Sequence, residues 1–491
     1  MDEKKLLKKN LLMFPLGTVG RDMVYNLFAS QLLTFVLFTR YLTDAQLAAI
    51  TTIMIAARVF DAFNDPIMGF IIENTHTRWG KFKPWLVIGI LLTSVVTFAM
   101  FNSGLGGWGF VWFFGAMYFM YSIAYTMHDI SYWGMIPALS SDPDARNQFT
   151  SRATLFAGIG GTLASILIPM LTAGSMALGG NTITAYGIIA AIISVLAPLF
   201  LCFTIFGAHE HIETGKTVEK QSLSLKAIFK TLTSNDQLMW VSLVFLIQQV
   251  GQNIVLGGVG STYIYFEFGY NGGLYSLFTT VGMSATAFLM IFYPAISRRI
   301  HRKPLMKIMM LISVVGYALM LIPGIVLPTG NVKFVFIVLG YMLSNFGQYC
   351  FYLIMMISII NTVEYSEYIS GSRDEAMIAS LRPFITKLGS ALVVLVTSLS
   401  YMIFRVTDYT NQISTYETAY NQGYLYESEK LDLISEALKG VTSGQNIGLL
   451  VMMTLVPCVM MLAAHLIYMK KYKLDEDEYD RICRELEARR G

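Results

Sequence analysis

Two carboxylates, Asp61 and Asp65, stand four residues apart inside the apolar stretch Ala57-Arg58-Val59-Phe60-Asp61-Ala62-Phe63-Asn64-Asp65-Pro66. Residues four apart lie one above the other on a helix, and Asn64, three after Asp61, falls close to the same face. A charged side chain at the centre of a bilayer costs roughly 2.5–3.5 kcal/mol on insertion scales. Two acids on one face are therefore expected to hold something. With Thr126 of a later stretch they offer carboxylate, carboxamide and hydroxyl oxygens, hard donors that suit a small hard cation or a proton rather than a soft metal. A second set joins acids to rings: Asp22 with Arg21, Tyr25 and Asn26, and Tyr125, Asp129 and Trp133 at four-residue spacing. Such a face suits a sugar, because carboxylates accept from paired hydroxyls while an indole or phenol covers the apolar side of a pyranose. Further along, Tyr352 follows Asn345, Gln348 and Tyr349, and Arg382-Pro383 precedes Lys387. Arg152, Arg382 and Lys387 either pair with an acidic group on a sugar or balance the acids at 22, 61, 65 and 129.

The elements that carry these residues are membrane spans. Of 491 residues, 55% are hydrophobic and 14% charged, with mean hydropathy +0.55; a soluble chain carries about 25% charged residues. Apolar runs at 11–40, 46–73, 84–103, 108–139, 148–175 and 183–207 precede others at 237–266, 273–296, 304–327, 333–361, 376–404 and 445–469. The pattern predicts an all-α membrane protein with twelve transmembrane helices in two six-helix bundles. Residues 1–207 form the first bundle and 208–236 a polar linker with Lys216, Lys220, Lys226 and Lys230. The second bundle spans 237–469 with a long polar loop at 405–444, and 470–491 is a tail. Within that loop 426–438 reads as a short surface helix, and Tyr479, Ile482 and Leu486 give the tail helical spacing. Lys and Arg gather in alternate loops, around 78–83, Arg146, the linker, 298–307 and the tail, which makes both termini cytoplasmic. The opposite loops hold Arg40 and Lys333. A net charge of +3 suggests no nucleic-acid partner. Cys202, Cys350, Cys458 and Cys483 are scattered without metal or pairing spacing. No cleavable leader is expected, and no histidine or serine constellation suggests an enzyme. Two sixes around a polar linker is the layout of rocking transporters, with substrate near the midplane.

The chain resembles the glycoside–pentoside–hexuronide:cation symporters, the melibiose-permease-like branch of the major facilitator fold. The resemblance rests on Asp61-Ala62-Phe63-Asn64-Asp65-Pro66-Ile67-Met68-Gly69, Arg78-Trp79-Gly80-Lys81-Phe82-Lys83-Pro84-Trp85 and Asp129-Ile130-Ser131-Tyr132-Trp133 with Pro137. It extends to Glu364-Tyr365-Ser366-Glu367-Tyr368, Ser380-Leu381 and Lys387-Leu388-Gly389-Ser390-Ala391. It implies that Asp61, Asn64, Asp65 and Thr126 hold the coupling cation, Na⁺ or H⁺, with Asn64 favouring Na⁺. It implies that Asp22 and Asp129 contact sugar, that Trp133 stacks on it, and that Lys387 lies near the cation site. Tyr25, Asn26, Tyr125, Arg152, Tyr352 and Arg382 complete the expected substrate set. The chain departs from the family in three places. Arg152 follows Arg146 by six residues instead of seven, Arg382-Pro383 replaces uncharged polar residues, and Asn361 stands for an aspartate. The expectation is a cation-coupled carrier of a sugar, glycoside or hexuronide in the plasma membrane, without cofactor. A lysolipid carrier on the same fold is the alternative.

Overall fold

Helix is the one regular structure that satisfies its own backbone inside a bilayer without neighbours, and no strand occurs among the described residues. A computed structural model describes residues 3–140, 142–209, 232–297, 299–371 and 375–490. The linker lysines lie outside them. In chain order the helices are α1 (Glu3–Asn26), α2 (Leu32–Thr39), α3 (Asp44–Glu73), α4 (Lys83–Asn102), α5 (Gly107–Leu139), α6 (Pro143–Thr172) and α7 (Thr182–Gly207). There follow α8 (Asp236–Asn253), α9 (Gly260–Phe268), α10 (Gly272–Ser297), α11 (Arg302–Val326), α12 (Asn331–Ser370) and α13 (Glu375–Ile403). Last come α14 (Thr407–Asn421), α15 (Glu427–Lys439), α16 (Ser443–Lys471) and α17 (Glu476–Arg490). Ten helices among the described residues are long and apolar enough to cross a membrane, and the bent pair Asp44–Asp61 and Phe63–Glu73 makes an eleventh. The bend is 42°, and its cause is local. Pro66 has no N–H for the carbonyl of Ala62 four residues back, which loosens the helix between the two acids.

The chain divides into two compact units, the first comprising Met1–Gln221, Tyr270–Ser276 and Arg405–Gly440. In it α1 packs on α6 and α7, and α3 and α4 pack on α5. Glycines set the closeness of α1. A Cβ on Gly20 would lie 2.5 Å from Ala197 Cα, and one on Gly160 would lie 2.2 Å from Val19 O. One wide π-helical turn, Leu27–Gln31, joins α1 to α2.

Sequence placed 405–444 with the second half, whereas the contacts group 405–440 with this first unit. The surface helix expected at 426–438 is α15, and α14 beside it was not foreseen. Asn411 exchanges two 2.8 Å hydrogen bonds with the backbone of Leu42, and Thr407 donates to Asp44 at 3.2 Å. Glu417 accepts from the backbone and hydroxyl of Thr182 at 3.0 and 3.1 Å and pairs with Lys430 at 3.3 Å, both partners buried. Lys430 also donates to the carbonyl of Gly180.

The second unit comprises Ser222–Gly269, Leu277–Phe404 and Val441–Gly491. A second π turn, Val255–Val259, separates α8 from α9. The core joins Phe245, Phe351 and Tyr468 to Ile482 and Leu486 of α17, so the tail packs through two of the three residues whose spacing gives its helix. Arg302 donates to Glu476 at 2.9 Å and Lys303 to Asp475 at 3.0 Å. Burial alone would raise these two carboxyls. Donation from Lys303 to Asp475 and from Arg302 to Glu476 outweighs it and holds both below the ordinary range.

Candidate functional site

Within the first unit, α1 and α5 bring together residues that are 108 positions apart. Arg21 Nη2 donates to Asp22 Oδ2 at 2.7 Å and Nε to the same oxygen at 2.9 Å, while Nη1 reaches Asp129 Oδ1 at 3.0 Å. Trp133 Nε1 donates to that Asp129 oxygen at 3.2 Å. The guanidinium also lies 5.2 Å from the ring centroids of Tyr132 and Trp133, a cation–π distance. Arg21 is 4% exposed against 20% for Asp22 and 38% for Asp129. The cation is thus sealed beneath two carboxylates that keep open edges, an arrangement that can accept from hydroxyls. Tyr25 and Tyr125 face each other at 5.6 Å, and Tyr121 adds a third ring at 5.5 Å from Tyr125.

Not every expected sugar residue joins this cluster. Asn26 turns to Ser165 Oγ at 2.7 Å. Arg152 is exposed and donates to the carbonyl of Leu11 at 3.1 Å, which fits its one-residue offset. Tyr352, Arg382 and Lys387 belong to the second unit, where Arg382 Nη2 donates to Tyr352 Oη at 3.1 Å. In the same unit Asn361 is buried.

The acids of α3 meet two hydroxyls of α5. Thr126 Oγ1 donates to Asp65 Oδ1 at 3.1 Å, and Ser122 Oγ donates to Asp61 Oδ1. Arg58 Nη1 stands 3.7 Å from Asp61 Oδ2. Asn64 is buried, and its amide nitrogen has no hydrogen-bond partner among the described residues. Among the described residues no group of three or more His, Cys, Asp or Glu converges. The donors assembled are two carboxylates and neutral oxygens, which fit a monovalent hard cation or a proton.

Ser122 and Arg21 are the residues that sequence reasoning undervalued. Ser122 lies four before Thr126 on the same face, a spacing that would have found it. Arg21 stands beside Asp22 in the sequence, but its bond to Asp129 is tertiary.

A family model described as MFS/sugar transport protein matches residues 13–476. A lactose permease of Leuconostoc lactis is 27% identical over 404 residues, 78% of this chain and 60% of that protein. A raffinose carrier protein of Pediococcus pentosaceus is 27% identical over 400 residues, again 78% and 60%. The chain thus spans about 60% of the length of these relatives. Among solved structures, the nucleoside transporter NupG superposes with a TM-score of 0.61 at 14% identity, covering 96% of this chain and 100% of that one, which establishes the fold.

Proposed function

Because the chain belongs to the MFS/sugar transport protein family, a family of membrane transporters and not of enzymes, we propose that it is a secondary active symporter. It couples inward flow of a cation to uptake of a sugar, glycoside or hexuronide by alternating access. In this reading α10 and the bent α3 complete twelve spans, both termini are cytoplasmic, and the protein sits in the plasma membrane. The observation that carries the proposal is the pairing of two polar clusters across α5. One face of α5 gives Ser122 and Thr126 to the acids of α3, and the turns after it bring Asp129 and Trp133 to Arg21, which also holds Asp22.

The cation takes oxygens from Asp61, Asn64, Asp65 and Thr126, offsetting two like charges on one helix face. Bound there, it fixes α3 against α5 and so steadies the face that carries Tyr125, Asp129 and Trp133. Sugar hydroxyls then donate to Asp22 and Asp129 while Trp133 covers the ring. Coupling is reciprocal, so each ligand raises the other's affinity by the same factor, typically worth about 1–3 kcal/mol. Na⁺ is preferred because a neutral carboxamide helps a metal ion and is not needed by a proton. Uptake of a panel of labelled sugars into vesicles, with and without Na⁺ at fixed pH, tests this. Na⁺-dependent uptake supports the assignment. Proton-driven uptake indifferent to Na⁺ overturns the ion, and no saccharide uptake under either gradient overturns the carrier reading. Arg382→Gln separates substrates: selective loss of a glucuronide marks it as a carboxylate partner, and equal loss of neutral glycosides marks a positioning role.

A further inference from the structure

Arg40 ends the first spanning run on the side opposite the N-terminus, and it is a cation without a carboxylate among the described residues. Its Nη1 donates to the carbonyl of Thr39 at 3.4 Å and its Nη2 to that of Ser103. The guanidinium carbon lies 5.5 and 5.0 Å from the ring centroids of Phe35 and Phe110. Nε is buried with no hydrogen-bond partner among the described residues. Two other loop cations are neutralised: Lys333 meets Glu267 at 2.5 Å and Lys430 meets Glu417 at 3.3 Å. A guanidinium stays charged at neutral pH. A mostly buried charge with only carbonyls and rings around it leaves an ionic partner wanting.

The same residue lines a cavity of about 470 Å³ with Asn102, Thr184, Asn421 and Gln422, and no acid lines it. Its position is the second observation. Leu91, Val95 and Phe98 form an exposed apolar stripe on α4, and the next residue on that stripe, four after Phe98, is Asn102. On α7 the exposed stripe is Ile188, Ile192, Val195 and Leu199, and four before Ile188 comes Thr184. Both bilayer-facing stripes therefore run into the cavity at their polar ends, and Ile188 also lines it. A polar, cationic chamber capping two apolar stripes has the chemistry of an amphiphile with an anionic head.

We propose that this cavity binds the phosphate of a phospholipid headgroup, with Arg40 as its ionic partner and the acyl chains along the exposed stripes of α4 and α7. Charge-assisted hydrogen bonds from a guanidinium suit phosphate. Free inorganic phosphate would satisfy Arg40 equally and leave the stripes unused, so the two sources are separable.

The test is native mass spectrometry of the full chain. Protein is reconstituted with phosphatidylglycerol or with a phosphate-free galactosyldiacylglycerol and then delipidated by detergent. One phosphatidylglycerol retained per chain, little galactolipid, and no displacement by millimolar inorganic phosphate is the expected result. Arg40→Gln is expected to reduce retention about tenfold or more, the scale of one lost charge-assisted bond, with Arg40→Lys intermediate. Thr184→Asp leaves the guanidinium in place and sets a carboxylate where phosphate would lie, so it reads the same loss if Arg40→Gln does not fold. Equal retention by the Gln and Asp variants overturns the site. Equal retention of the galactolipid overturns phosphate recognition, and displacement by inorganic phosphate overturns the lipid source.

Discussion

Arg21 holds two acids from two helices, which makes it the residue on which the Asp22–Asp129 cluster depends. Removing one partner of a buried charge set costs about 3–5 kcal/mol, because the remaining charges lose their compensation. Arg21→Gln is accordingly expected to lower the thermal midpoint of the purified protein far more than Asp129→Asn, whose carboxylate is 38% exposed. Asp129→Asn is expected to lose sugar binding in calorimetry while keeping a near wild-type melting curve. Ser122→Ala removes a hydroxyl from Asp61 and should change the cation concentration for half-maximal uptake while leaving cation-free sugar binding intact. A shift in sugar affinity alone would place Ser122 outside the cation set. Much of this site was legible in the chain because a carboxylate in an apolar run is costly and therefore conspicuous. Asp22, Asp61, Asp65 and Asp129 announce themselves in that way, and the four-residue step from Asp129 to Trp133 gives their face. Ser122 did not, since a hydroxyl can bond back to its own helix and a span tolerates it. The partnership of Arg21 with Asp129 joins residues 108 apart, and no local pattern encodes such a contact.

At the scale of elements, α1 is held where Arg21 can reach α5 by two glycines without room for a methyl group. Gly160→Ala would set a Cβ 2.2 Å from the carbonyl of Val19, and Gly20→Ala one 2.5 Å from Ala197 Cα. Backbone must move in both cases, and such overpacking typically costs about 1–3 kcal/mol. Both variants are expected to lower sugar affinity as well as stability, because Val19 and Gly20 immediately precede Arg21. Normal sugar affinity in a destabilised Gly160→Ala protein would separate packing from site geometry. The helices were legible from hydropathy, and ten of them, eleven with the bent pair, are long and apolar enough to cross a membrane among the described residues; α12 extends beyond 333–361 to Asn331–Ser370. Helix α14 was not legible. Its sequence is polar, and Glu417 and Lys430, thirteen residues apart, read as solvated surface charges until folding buries them against each other.

At the scale of the whole molecule, the chain leaves the second unit after Phe404, docks on the first through α14 and α15, and returns at Val441. The Glu417–Lys430 pair is its buried anchor. Glu417→Gln or Lys430→Met alone should each loosen the segment by about 3–5 kcal/mol, and the double variant should cost less than the sum. Hydrogen exchange across 407–439 reads the effect, and strict additivity would show that the pair is not coupled. The tail has a gentler, pH-dependent anchor. Asp475 and Glu476 are held below the ordinary carboxylate range, so their contribution is present above about pH 4 and is lost as pH falls through that depressed range. Protection of the amides around Ile482 and Leu486 should hold at neutral pH and fade only in stronger acid. The effect is small, because both carboxylates are partly exposed. The first span carries its own defect. The wide turn at Leu27–Gln31 is a one-residue insertion in a helical lattice. One extra residue turns everything beyond it by about 100°, so the apolar α2 does not simply continue the face that α1 presents. Tyr25 and Asn26 close the regular part of α1 just before it, so one span presents one face to Tyr125 and Ser165 below the turn and another to its neighbours above it.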